Sequence, residues 1–509
     1  MTSLQVSVLP EPELEFRYGQ RVSEPHRGLA LFGPFDADGP SRPGILKIAV
    51  VGTRAGIESW KAFAHCMAGP IATPGEEEVD GHGREGTRRY LWPGYPGFEA
   101  AFGATWSAAP AWTWPLDEDK LSTAVSDRDP HKRAHTVVNL YLEALRTAAQ
   151  RDEGYSALVC VVPRIVERNC RPESRVTEGF GRRPSARERQ LRAISAGDLF
   201  ESYDPEAYVL SVDFRRQLKA RALSLGVPLQ LVLETTLATT GEPGKQDLTP
   251  LSDRAWNLAT TLYYKAGGKP WRLASAREGV CYIGLAFRQK SKDEHSRTAC
   301  CAAQMFLDDG DGIVFLGETG PWYSPEKREF HLSSESAEKL LSGVLDTYHR
   351  QGGKPLREIF LHSHSGIGVD EFGGFRKACP PGIRLFGVRV RRDRSDVRLF
   401  RTGSYPVLRG TVVELSNRSA LLYSSGFKPD LLTYDGAEVP VPLSIDVQHG
   451  DSDVGLVAKD ILALTKLNYN ACRLGESLPV TVGFARQVGE ILISNPSVRD
   501  ARPNFKFYI

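Results

Sequence analysis

Short apolar runs alternate with amphipathic stretches through the first half of the chain. ILKIAVVGT (45–53) is almost unbroken in apolar residues and closes on a Gly-Thr turn, which predicts a buried strand followed by a helix over about Ala55–Met67. HKRAHTVVNLYLEALRTAAQ (131–150) repeats its apolar positions at the helical period, and SALVCVVP (156–163) predicts a second buried strand. After YVLSVDF (208–214), the pattern predicts a helix from about Arg215 to Leu225, stopped by Gly226-Val227-Pro228, and then a strand, LQLVLETT (229–236). A further helix over 251–268 ends at Gly267–Gly268, a pair suited to the left-handed turn that closes helices. Residues 71–128, rich in Gly, Pro and Trp, predict irregular structure, and their aromatics suit either a partner surface or an ordinary core. The alternation is that of a doubly wound α/β domain.

The rhythm changes near Gly268–Ala276, where a domain boundary is expected. VCYIGLAF (280–287), TACCAAQMF (298–306) and GIVFLG (312–317) predict three successive strands, the last two joined by a DDGDG turn. A helix (334–350), a strand REIFLH (357–362), a short helix near Asp370 and a strand RLFGVRVR (384–391) follow, and the rest is expected to be mainly helical. Three antiparallel strands, a helix, and a fourth strand able to pair beside the first make the connectivity of an RNase H-like domain.

Composition narrows the function classes. Over 509 residues, 41% hydrophobic and 25% charged residues describe a globular protein with a real core. No apolar run reaches the roughly 18–20 residues of a membrane helix, and the start of the chain lacks the charge-then-apolar layout of a secretory signal. The eight cysteines include no CxxC pair and most sit in apolar surroundings, as reduced thiols of a cytoplasmic protein would. The net charge of +2 argues for no partner by itself. Arginines cluster, however, over 164–192 and 384–401, which suits either a phosphate backbone or a solvated surface with its own carboxylates.

One constellation carries chemistry. Arg215 and Lys219 share a helix face, Gln230 opens the next strand, and Lys265 ends the next helix. Converging, they would hold a terminal phosphate, each charge-assisted contact contributing about 1.5–3 kcal/mol. A cationic i,i+4 pair is also what an ordinary solvated helix face presents. His362 and His364 form an HxH pair without a readable third metal ligand, and Asp308, Asp309 and Asp311 fall in a turn. Phosphate-loop, nucleophile-elbow and zinc-protease motifs are missing from the sequence.

The order and spacing of Arg215, Lys219, Gln230 (in GVPLQ) and Lys265 (in YYKAGG) resemble the MID-domain pocket of Argonaute proteins. NLATTLYYKAGGKPW (257–271) followed by YIGLAF (282–287) resembles the passage from MID into PIWI, and NFKFYI resembles the Argonaute tail. RGLALFGPFD (27–36) and GYPGFEAAFGATW (94–106) resemble the start of short prokaryotic Argonautes, which lack the N and PAZ domains. The resemblance implies a Rossmann-like MID domain over 1–272 and an RNase H-like PIWI domain over 273–509. It further implies a guide 5′ phosphate held by the four residues together with Mg2+ bound by the Ile509 carboxylate.

Active members of that family cut nucleic acid with carboxylates around two metal ions. The matching positions here are Ala286, the His362–Ser363 pair (Ser363 by the preferred alignment) and Arg486; the glutamate of the set is unplaced, with Glu318 near the right distance. A methyl group, neutral side chains and a cation cannot hold two metals, so no nuclease activity is expected. The resemblance then implies a guide RNA, a single-stranded DNA target, and a separate effector chain with an APAZ region and a TIR or Sir2 NAD-consuming domain, or less often a nuclease. Defence against plasmids or phage is the implied output, and the complex could oligomerise on activation. An active guide-directed nuclease with misplaced acids and a purely structural partner protein are the competing readings.

Overall fold

β1 (Gln5–Val8) pairs antiparallel with residues 411–414, far along the chain. The next strand, β2 (Ile48–Gly52), runs straight into α1 (Arg54–Ala68), whose capping Thr53 hydroxyl accepts from the Gly56 N–H. There follow β3 (Trp112–Pro115), α2 (Pro130–Ala149), β4 (Ala157–Val162), α3 (Phe214–Ala222), β5 (Leu229–Leu233) and α4 (Leu251–Lys265). Strands β2 to β5 form a wholly parallel sheet in the order β3-β2-β4-β5. The computed structural model in which these elements are seen describes residues 4–40, 42–73, 92–176, 210–239, 249–289, 299–306, 312–316, 322–324, 329–350, 353–393, 397–434, 436, 438–492, 494 and 504–509.

Alternate side chains of β4 divide the core in two. Ala157, Val159 and Val161 pack with Trp60 and Phe63 of α1 and Leu262 of α4, whereas Leu158, Cys160 and Val162 pack with Tyr141 of α2 and Leu218 of α3. Helices cover both faces, which is why these strands read as unbroken apolar runs. Within 71–128 the expectation of irregular structure is corrected: Trp112–Pro115 is a parallel edge strand, and Phe98–Phe102 and Glu118–Val125 are helical. Prolines and tryptophans hide the period there. Tyr95, Phe98, Phe102 and Trp106 are buried, so they are core. Residues 74–91 and the arginines between 182 and 192 lie outside the described residues.

After α4, Gly267 takes a φ of +101°, a left-handed conformation that side chains resist. The second half then builds β6 (Val280–Gln289), β7 (Ala299–Phe306), β8 (Gly312–Leu316), α5 (Ser334–Arg350), β9 (Glu358–Ser363), α6 (Val369–Ala378) and β10 (Arg384–Arg392). β6, β7 and β8 are antiparallel and β9 lies parallel beside β6, the expected RNase H-like core. The expected helical end is corrected: β11 (Thr411–Ser416), β12 (Ser419–Tyr423) and β13 (Leu443–His449) come first, then α7 (Val454–Leu464) and α8 (Val480–Leu492). β11 and β12 make a tight hairpin around Asn417-Arg418. Among the described residues this sheet has nine strands, in the order β1-β11-β12-β13-β10-β9-β6-β7-β8.

The two halves exchange their ends. β1 extends the second sheet, and Glu11 accepts from Arg409 Nε and Lys466 Nζ, each at 2.9 Å, both cationic side chains being buried. Conversely, Phe505, Phe507, Tyr508 and Ile509 are buried in the core shared by α1 and α4. Of the six cysteines whose side chains are described, five are buried and all six are free thiols. Among the described residues, no helix is long and apolar enough to cross a membrane.

Candidate anion-binding pocket and sheet centre

Asp213 caps α3 by accepting from the Arg216 N–H at 3.0 Å, which fixes the helix phase. Arg215 in the first turn is exposed, and Lys219 one turn on is buried. Lys265 occupies the last turn of α4 and is fully buried. Both ammonium groups meet the main chain of the tail. Lys219 Nζ donates to Tyr508 O at 3.1 Å; Lys265 Nζ donates to Lys506 O at 3.2 Å and also to Ile509 O.

Burial pushes the Lys219 ammonium well below its ordinary range, and the neighbouring cations Lys265 and Arg215 add to the shift. Lys265 is lowered to about 7 by burial, then by Arg215 and Lys506. Neither lysine pairs with an acidic side chain among the described residues. Arg215, which has no partner among the described residues, completes a cluster of cations within mutual electrostatic reach. Gln230 joins by strand alternation: it shares a face of β5 with Val232, which packs in the core that holds Tyr508 and Ile509. Its Nε2 donates to Leu231 O at 3.2 Å, and its Oε1 is buried without a partner. The sequence expectation of four converging residues thus finds Arg215, Lys219 and Lys265 together and Gln230 on the facing layer.

Three cations converge here, and the anionic oxygen that meets them among the described residues is Ile509 O on Lys265, so the cluster carries positive charge in excess, which suits an anion. Beside it, Arg215 lines a cavity of about 280 Å³ with Glu167, Arg171, Val162 and Leu233, at the carboxyl ends of β4 and β5. The tail also offers oxygen donors to a cation, since Lys506 O and Ile509 O both reach one ammonium and Gln230 Oε1 is orphaned. An all-oxygen donor set suits a hard divalent ion such as Mg2+.

At the centre of the larger sheet, Gly284 and Leu285 of β6 lie beside His362 and Ser363 of β9. Thr481 of α8 sits directly on Gly284, where a Cβ would fall 1.8 Å from the Thr481 carbonyl oxygen. His362 shares that face: its Nδ1 lies 3.0 Å from Thr481 Oγ1, and burial pushes its pKa down to about 3, so the ring is neutral. Alternation puts Ala286 on this face as well. Ser363 is on the opposite face, with Leu361 and Leu285, its hydroxyl buried and unpartnered. Of the His362–Ser363 pair, it is therefore His362 that shares the face of Ala286. Arg486 of the same helix is exposed and reaches Glu490 Oε1 at 3.4 Å, whereas Thr481 lies over the sheet centre.

The described acids nearby serve the fold. Glu358 pairs with Arg277 and Arg384, Asp460 with Arg277, and Glu329 with Arg389. Among the described residues, no group of three or more His, Cys, Asp and Glu side chains is placed to hold a metal. His364 is exposed while His362 is enclosed, so the HxH pair is divided. Glu318, Asp308, Asp309, Asp311 and Arg394 lie outside the described residues.

No protein-family model and no curated protein matches this chain. Solved structures do. The chain is similar to Clostridium butyricum Argonaute bound to a guide DNA and a 19-mer target DNA, with a TM-score of 0.63 and 16% identity, over 100% of this chain and 55% of that one. It is similar to Aa-Ago with externally bound siRNA (TM-score 0.56, 13% identity, 99% of this chain and 56% of that one). Aquifex aeolicus Argonaute gives a TM-score of 0.53 at 14% identity, over 99% and 57% of the two chains. The chain spans about half the length of these Argonautes. At such identities the likeness is one of architecture: the chain has an Argonaute fold, a mixed α/β arrangement similar to the MID and PIWI domains.

Proposed function

We propose that the chain is a guide-RNA-binding, non-cleaving Argonaute subunit of the short prokaryotic kind. The guide's 5′ phosphate binds between Arg215, Lys219 and Lys265, with the Gln230 amide completing the contacts, and the first nucleotide enters the cavity beside Arg215. The observation that carries this reading is the pair of buried ammonium groups, Lys219 and Lys265, which lie within electrostatic reach of each other's neighbours Arg215 and Lys506 and pair with no acidic side chain among the described residues. Mg2+ held between that phosphate and the Ile509 carboxylate would offset the phosphate's second charge. Recognition of a single-stranded DNA target is delegated to base pairing, and the protein grips the backbone and the end.

Ala286, His362, Ser363 and Arg486 supply no carboxylate, so the subunit holds no metal pair and leaves the target uncut. The output then comes from a partner: an APAZ-bearing effector with a TIR or Sir2 NADase domain, or a nuclease, acting in cytoplasmic immunity against plasmids or phage. The Argonaute fold and the degenerate positions support this assignment together.

The decisive experiment compares 5′-phosphorylated with 5′-hydroxyl RNA on the wild type and on Arg215→Ala/Lys219→Ala. Preference for the phosphate should disappear in the double variant; equal affinities before and after would remove the pocket. Incubation with guide, labelled target and Mg2+ or Mn2+ should leave the target whole. A cut at one fixed position would replace this reading with that of an active nuclease.

A further inference from the structure

β1 closes one end of the nine-stranded sheet, so its outer N–H and C=O groups have no strand beside them among the described residues. The face it shows is apolar. Val6 lies opposite Val413 and Val8 opposite Thr411, which places them on the face where Val413, Leu421 and Tyr423 are buried with Val407. There the cover stops: Val6, Val8, Leu4 and Leu415 are each more than half exposed. Natural sheets blunt open edges with charge, proline or a covering element, and QVSV contains neither lysine nor proline.

The loop over 397–405 leans on the same face, its Leu399 N–H donating to the Tyr423 hydroxyl at 3.0 Å. It presents Phe400, 78% exposed, and Arg401. Arg401 donates to the Tyr405 carbonyl within its own loop and lies over the Phe427 ring at 5.0 Å, without an acidic partner among the described residues. Arg401 therefore adds a positive charge to the loop that packs on this face, and the basic stretch noted over 384–401 divides. Arg384 and Arg389 are used in internal ion pairs, and Arg401 faces outward.

We infer that the outer edge of β1 is a docking site for an extended strand of a second protein, apolar at alternate positions and acidic where it meets Arg401. Added strands gain main-chain hydrogen bonds from the edge and specificity from alternate side chains. Protein is favoured over nucleic acid because a free backbone edge pairs with another backbone, and because Leu4, Val6 and Val8 line that edge with aliphatic surface. The inference goes beyond the guide-binding reading and does not rest on it.

The probe is a fluorescein-labelled peptide that alternates valine with threonine and closes in a run of glutamates. It should bind the full chain saturably and slow amide exchange at residues 5–8. Val6→Lys should weaken it by about tenfold or more, with affinity for 5′-phosphorylated RNA unchanged. The exchange measurement uses the unaltered protein, so it stands even where the variant misfolds. Failure of the peptide to bind or to protect residues 5–8 overturns the inference. So does its displacement by single-stranded DNA, or a wild-type dimer that Val6→Lys returns to monomer, since nucleic acid or a second copy would then own the edge.

Discussion

Lys219 donates its ammonium proton to the main-chain oxygen of Tyr508 at 3.1 Å, across 289 positions of sequence. The contact places a cation from the last turn of α3 inside a core that the end of the chain helps to build. On the proposed reading such a cation serves a ligand and not the empty fold. Lys219→Met keeps the stem and removes the charge, so the ligand-free protein should melt at the same or a higher temperature, gaining up to about 4 kcal/mol. Affinity for 5′-phosphorylated RNA should fall by about tenfold or more, given about 1.5–3 kcal/mol per charged contact. Calorimetric melts and RNA titrations check both halves, and a variant that loses stability while keeping affinity would reverse the assignment.

Lys265 ties the pocket to pH. Its folded pKa of about 7 is depressed from 10.5, so the empty fold binds fewer protons than the unfolded chain between those values. Stability of the empty protein therefore rises with pH across that window and is lost as pH falls through about 7. A bound phosphate restores the ordinary pKa and draws a proton in. Guide affinity should then rise from pH 8.5 to pH 6.5, and titrations in buffers of different ionisation enthalpy should report proton uptake of about a fraction of one proton near neutrality. A heat of binding independent of the buffer would contradict this.

His362 acts in the opposite range. Burial lowers its pKa from 6.5 to about 3, so the folded state excludes a proton that the unfolded chain accepts. The associated stability is complete above pH 6.5 and drains away as pH falls toward 3. His362→Gln should flatten the acid limb of a stability-versus-pH curve, read from urea midpoints.

Gly284 marks where α8 rests on the sheet. Gly284→Ala puts a methyl group 1.8 Å from the Thr481 carbonyl oxygen, which must lift the helix. A loss of about 3 kcal/mol is expected. Gly483→Ala is the control, since its added carbon meets nothing nearer than 3.7 Å and gains helix propensity. Urea denaturation of the two variants should separate them clearly.

The alternating sequence made three strands of the parallel sheet, the helices between them and the four-strand start of the second sheet legible, because strands buried on both faces print continuous apolar runs. The edge strand Trp112–Pro115 went unread. Arg215, Lys219 and Lys265 were legible as a spacing. That Lys219 and Lys265 are buried was not, because the tail that encloses them is remote in sequence. β11, β12 and β13 went unread: a two-residue Asn417-Arg418 turn carries no glycine, and TVVELS and SALLY blur the period of two. β1 was equally hidden, since a four-residue edge strand exposed on both sides has no apolar pattern to print. The choice between His362 and Ser363 required the sheet, because only the pleat tells which of two adjacent residues faces α8.

The crossing of the ends between the sheets has a mechanical consequence. With residues 5–8 stitched into one layer and 505–509 plugged into the other, the connector over 268–276 is not the sole tether. A protease nick there would leave two pieces clasped, eluting together under native conditions and parting only in denaturant. Pulling on either end would load both layers at once, so the molecule should rupture as one unit and not in successive steps.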